Sequence, residues 1–156
     1  VASQVQSARR VVGLRQASLG LCVMLIAEYA LGVAVNIYVT VPKSYQGNGL
    51  GKAFGDALTK GPTALVVHAA VGLLVVVAAV TLLVRAILAR HVVVITTASI
   101  ALLAVIGAAN SGASFVDTGQ NSASLVMALL TALALLCAVS NLYLLGRAAG
   151  ATSSSQ

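Results

Sequence analysis

This sequence has very little charge. Asp, Glu, Lys and Arg make up 8% of its 156 residues, against roughly 25% in a soluble domain. So few charged groups cannot cover a water-facing surface, and 60% of the chain is hydrophobic. Its solvent is expected to be lipid. Acids are the scarcest, with only Glu28, Asp56 and Asp117 in the whole chain. That leaves little for acid–base or metal chemistry. There is no HExxH, no GxSxG and no pair of carboxylates within one apolar run, so an enzyme is the less expected reading. Tryptophan is absent and aromatics reach only 4%. The two cysteines, Cys22 and Cys137, lie in apolar runs without a CxxC or a nearby His. This argues against a disulfide framework or a zinc site; both read as small buried apolar residues.

The net charge of +6 suggests nucleic acid at first sight. The cations, however, sit at the ends of apolar runs and form no basic stripe interleaved with aromatics, which argues against nucleic-acid binding. They are expected to set orientation and to hold anionic lipid headgroups.

About 20 mostly apolar residues cross a bilayer. Four runs qualify, over about 17–41, 62–83, 92–113 and 122–145. The expected fold is therefore all-α: a polytopic membrane protein with a four-transmembrane-helix bundle, one domain over residues 1–147. The Gly/Ala/Ser-rich tail 148–156 is expected to be disordered. The first run is longer than a signal-peptide core and no cleavage site follows it, so it is expected to stay as a span. Arg9, Arg10, Arg15, Arg85, Arg90 and Arg147 fall on one side, and Lys43, Lys52 and Lys60 on the other. The positive-inside rule then puts both termini in the cytoplasm and the chain in the cytoplasmic membrane. Tyr38, Phe115 and Tyr143 fall near the interfaces as a thin aromatic belt.

The longest connection, Lys43 to Gly61, is rich in glycine. Its Gly47-Asn48-Gly49-Leu50-Gly51-Lys52 stretch lacks the GxxxxGK[ST] spacing of a phosphate loop. Leu50 to Thr59 is expected to form a short interfacial helix, with Leu50, Phe54 and Leu58 on its apolar face.

A few polar residues lie inside the runs. Glu28, Gly32 and Asn36 form one stripe on the first helix, and His68 and Gly72 another on the second. Gly107 and Ser111 do so on the third, beside Asn110. Counting 1.5 Å per residue puts His68 level with Gly32 to Val35, Gly107 and Met127, and Glu28 about one turn deeper. A polar site in the outer half of the bundle is expected, lined by Glu28, Gly32, Asn36, Gly72, Gly107 and Asn110 around His68. Ionisable groups at such depth usually face the bundle interior and mark function. The asparagines, with Asn141 at the inner end, read more simply as interhelical hydrogen-bonding glue. His91 reads as a solvated interfacial residue.

The segment Val66-Val67-His68-Ala69-Ala70-Val71-Gly72 resembles the His-bearing helix of haem A synthase-like four-helix membrane haem proteins. The resemblance covers one helix. It implies haem b as a cofactor, with His68 as axial ligand and electron transfer as the function. The paired histidines of that family are missing. Met127, or a second His68 from a homodimer, would have to supply the sixth ligand.

Two other functions are open. A lone carboxylate in the first of four helices also occurs in small multidrug exporters, which makes Glu28 a candidate for proton-coupled transport. The plainest reading is an accessory subunit that packs against other membrane subunits or its own copies. Ala98, Ser99, Ala101, Ala104, Gly107, Ala108 and Ala109 on the third span would give such a surface.

Overall fold

A computed structural model describes residues 2–153, with side chains described at positions 6 and 9–147. Five helices follow one another: α1 (Ala2–Tyr38), α2 (Leu50–Thr59), α3 (Thr63–Ala89), α4 (Val92–Thr118) and α5 (Asn121–Ser153), with a single 3-10 turn at Lys43–Tyr45. No strand occurs among the described residues. Four of the helices, all but α2, are long and apolar enough to cross a membrane. The chain is an all-α, multi-pass membrane protein.

Three of the long helices, α1, α3 and α5, overrun their apolar runs at the arginine end. α3 passes Arg85 and stops at Ala89, where Arg90 takes a left-handed φ of 56°. α5 continues to Ser153, through part of the segment expected to be a disordered tail; its alanines favour helix, and residues 154–156 lie outside the described residues. Hydropathy marks where the hydrocarbon ends, while arginines can remain helical and reach outward to the interface. At the opposite end α1 stops at Tyr38, short of Val41. Pro42 follows, and a residue before proline is pushed out of the helical region. α4 runs on to Thr118 and is ended by Gly119 at φ 69°, the left-handed position that suits glycine.

The long helices form a closed ring in which α1 packs on α3 and α5, and α4 packs on α3 and α5. Packing in lipid gains little from hydrophobicity and depends on close approach. Ala79 and Ala86 of α3, Ala98 and Ala101 of α4, and Ala134 and Ala138 of α5 accordingly fill the buried core with Leu21, Leu25 and Leu82. The small-residue face of α4 expected to receive partner subunits is thus largely used within the chain. The outward faces carry exposed Val, Leu and Ile on all four helices, as contact with acyl chains requires. Asn141 is fully buried and accepts a hydrogen bond at Oδ1 from the Thr97 hydroxyl, tying α5 to α4 as expected of polar glue.

The expected short helix is present as α2. It packs on α3 and α4, but by a different face. Ala53 and Ala57 are buried against Leu65, Val116 and Val35, whereas Leu50 is exposed. Small residues allow the closer contact. The glycine-rich turn before α2 adopts positive φ at Gly47 and Gly49 and holds a carboxylate of the chain itself. Asp117 Oδ1 accepts from the backbone N–H of Asn48 (2.9 Å) and Gly49 (3.0 Å), and its carbonyl accepts from Gly47 N–H at 3.0 Å. At the other end of α2, Lys60 pairs with Asp56 at 2.8 Å. That hydrogen bond, and then the charge of Asp56, raises the Lys60 pKa above its ordinary 10.5. The stabilisation that Lys60 gains from this contact is therefore present at neutral pH and is lost as pH rises through the raised value. Asp117→Ala is expected to free the start of α2 while the spans stay folded. Loss of such a cap is worth about 1 kcal/mol, so hydrogen exchange of the α2 amides should rise about fivefold, with no change in α1, α3 or α5.

Candidate functional site

Two glycines let α1 and α3 cross closely in the half of the bundle away from the arginines. The helices are antiparallel, and each brings an ionisable residue over the glycine of the other. A Cβ on Gly72 would stand 2.8 Å from Glu28 Oε1, and one on Gly32 would stand 3.2 Å from His68 Cε1. Glu28 and Gly32 are four residues apart, as are His68 and Gly72. One helical turn on each side therefore closes a four-residue square.

Within it His68 Nδ1 lies 3.0 Å from Glu28 Oε1. The distance is that of an ion pair, but the approach is off the line that an aligned N–H···O bond needs. His68 Nδ1 and Glu28 Oε2 accordingly remain sealed atoms without a hydrogen-bond partner. Both side chains are mostly buried, at 15% and 13% exposure. A carboxylic acid beside neutral imidazole, or a carboxylate beside imidazolium, is net neutral either way. Such a pair can exist in hydrocarbon at a cost that a single charge could not meet. His68 Nε2 is not among the sealed, unpartnered atoms, and His68 borders a cavity.

That cavity measures about 730 Å³, within the range of sites that hold cofactor-sized molecules. Glu28, Gly32 and Asn36 of α1, His68 and Gly72 of α3, and Met127 of α5 all line it. α2 contributes Phe54 and Ala57. The lining residues Tyr29, Val33 and Ile37 of α1 and Leu125 of α5 are 44–64% exposed. Leu73 of α3, which also lines the cavity, is 51% exposed, so the cavity gives onto the membrane beside α3 as well as at the seam between α1 and α5. Ser124 donates to Asn36 Oδ1 across that seam at 3.2 Å.

Two expected lining residues do not line it. Asn110 is exposed, and Gly107 faces α5, where an added Cβ would stand 3.0 Å from Leu130 Cδ1. The inward face of α4 is Val105, Ala108, Ala109, Gly112 and Val116. At 100° per residue, Asn110 points away from it. The level of α4 also differs from expectation. Met127 Sδ would lie 3.1 Å from a Cβ on Gly112, so Gly112, not Gly107, stands opposite Met127. Gly112, Ser124, Thr131 and Phe54 are among the lining residues the sequence reading missed. Only Gly112 left a signal, through its place on the Val105, Ala108, Ala109 stripe.

Among the described residues no three His, Cys, Asp or Glu side chains come together as a metal site. Cys22 and Cys137 are buried and unpaired. His91 is partly buried at the start of α4, at the arginine end and outside the cavity. In comparisons with known proteins, the chain matches no family model, no curated protein and no solved structure.

Proposed function

We propose that this protein is a membrane-embedded binding subunit whose cavity takes a lipid-soluble molecule at the Glu28–His68 pair. The observation that carries the reading is the glycine-seated pair on the wall of a cavity of about 730 Å³. Ionisable residues are costly inside a membrane and tend to be kept for function. The cavity wall is otherwise mainly apolar, so a ligand would bury a hydrophobic body and direct one polar group to the pair. The exposed α1–α5 seam offers entry from the bilayer. In this reading both termini are cytoplasmic, because six arginines sit at one end and three lysines at the other.

Haem b is the first ligand to test. A ligating histidine commonly turns its second nitrogen toward a carboxylate, and Glu28 stands 3.0 Å from His68 Nδ1, which leaves Nε2 for iron. Met127 borders the same cavity as a candidate sixth ligand. When bound, haem would supply one-electron chemistry. The residues would hold it, orient the imidazole and keep water out. The test is a visible spectrum of the purified protein, oxidised and dithionite-reduced, after expression with ample haem. A Soret band lost in His68→Ala is the expected result. A featureless spectrum from well-folded protein would remove haem and leave an organic, lipid-soluble ligand as the occupant.

A second reading, proton-coupled transport, rests on the same 3.0 Å approach; a small turn of the imidazole into line with Glu28 would let a proton pass between carboxyl and imidazole. It requires ligand-dependent proton movement in proteoliposomes that Glu28→Gln abolishes.

A further inference from the structure

Among the described residues, no acidic side chain lies at the arginine end of the bundle. All six arginines gather there, and none of the three acids does. Each acid is engaged elsewhere: Glu28 with His68 and Asp56 with Lys60, and Asp117 with the N–H groups of Asn48 and Gly49. No arginine forms an ion pair among the described residues. Arg147 stacks on Tyr143 at 5.7 Å, a contact that leaves its charge uncompensated.

Two of the six meet in one place. Arg10 of α1 and Arg85 of α3 border a cleft of about 410 Å³, whose remaining lining is Gly13, Leu14, Leu88 and Ala89. Unlike at Gly32 and Gly72, a Cβ on Gly13 would meet nothing within 4 Å, so the cleft is open beside this part of α1. Leu88 is 69% exposed, so the apolar part of the cleft is continuous with the lipid-facing surface. Two guanidinium groups beside an apolar slot, at the depth where spans end, match one kind of molecule. It carries a phosphate at the interface and a hydrocarbon chain below. Guanidinium forks bind phosphate oxygens in pairs, and basic pockets between helices at membrane interfaces hold anionic headgroups.

We propose that the Arg10–Arg85 cleft is a binding site for one anionic phospholipid, with the phosphodiester between the two guanidinium groups and an acyl chain along the exposed Leu88. This site is separate from the cavity and does not depend on its ligand.

The experiment is native mass spectrometry of the full chain released from bilayers of equimolar phosphatidylglycerol and phosphatidylcholine. Wild type should retain phosphatidylglycerol about tenfold over phosphatidylcholine, as two interfacial arginines allow. Arg10→Gln/Arg85→Gln should lose that preference. Arg15→Gln/Arg147→Gln, which removes the same charge elsewhere at this end, should keep it. Arg10→Lys/Arg85→Lys keeps charge and loses the forks, so an intermediate preference is expected; it also serves if the glutamine variant fails to fold. Equal loss in both glutamine doubles would mean a diffuse charge collar and overturn the site. Retention in Arg10→Gln/Arg85→Gln would overturn it as well. Displacement of the lipid by inorganic phosphate alone would make this an anion site and overturn the lipid assignment.

Discussion

His68→Leu is expected to destabilise the bundle by about 3 kcal/mol, and adding Glu28→Leu to it is expected to restore most of that loss. The single change leaves a carboxyl group, 13% exposed, over Gly72 with no ionisable partner. Its Oε2 already lacks a hydrogen bond, so losing the imidazole removes the one group that balances it. The double change removes both polar groups and fills the space with hydrocarbon, which lipid-buried positions accept. Glu28→Gln keeps the shape and the hydrogen-bonding groups and should cost about 1 kcal/mol or less. Unfolding in mixed micelles with increasing dodecyl sulfate measures all four proteins. If the double variant is as unstable as His68→Leu, the pair is structural and the case for a site at Glu28–His68 falls. If it recovers while ligand binding stays lost, the pair is held for binding at the expense of stability.

The four spans were legible because apolar runs of this length have few alternatives, and α2 because its Leu50, Phe54, Leu58 spacing repeats every four residues. The α1–α3 crossing was legible for a related reason. Glu28/Gly32 and His68/Gly72 each make a stripe, and counting rise from the chain reversal put His68 level with Gly32, where the structure places it. The same count failed on α4. The third run was taken to end at residue 113, but the helix continues to Thr118. Five residues at 1.5 Å each move the expected level by about 7.5 Å, which accounts for Gly107 standing where Gly112 belongs. Asn110 failed differently. Rise fixes depth, but the rotation of a helix about its axis depends on its neighbours, and a polar residue near a helix end can face outward. α2 shows the same limit, since its seat uses Ala53 and Ala57 rather than the larger apolar residues. Size complementarity between helices is not written in either helix alone.

A graded series at Gly72 should separate the site from the fold. With alanine the new Cβ would stand 2.8 Å from Glu28 Oε1, inside van der Waals contact. The obstacle is the end of a flexible side chain, so Glu28 can swing aside, and alanine gains about 1 kcal/mol of helix propensity over glycine. Gly72→Ala is therefore expected to change stability by no more than about 1 kcal/mol while breaking the 3.0 Å contact with His68. The infrared carboxyl band of Glu28, identified by its loss in Glu28→Gln, should shift accordingly. Leucine at the same place cannot be accommodated by one rotamer. It would wedge α1 from α3 and is expected to cost about 3 kcal/mol, the upper range for overpacking. Gly20→Leu is the control, because Gly20 is exposed and an added Cβ meets nothing within 4 Å; it should leave the band unchanged and alter stability only by the gain in helix propensity, about 1 kcal/mol or less. Should Gly72→Leu behave like Gly20→Leu, the close crossing of α1 and α3 would be wrong, and with it the geometry that brings Glu28 to His68. Should Gly72→Ala leave the Glu28 band in place, the carboxyl would not depend on the missing side chain, and Gly72 would be small for packing alone.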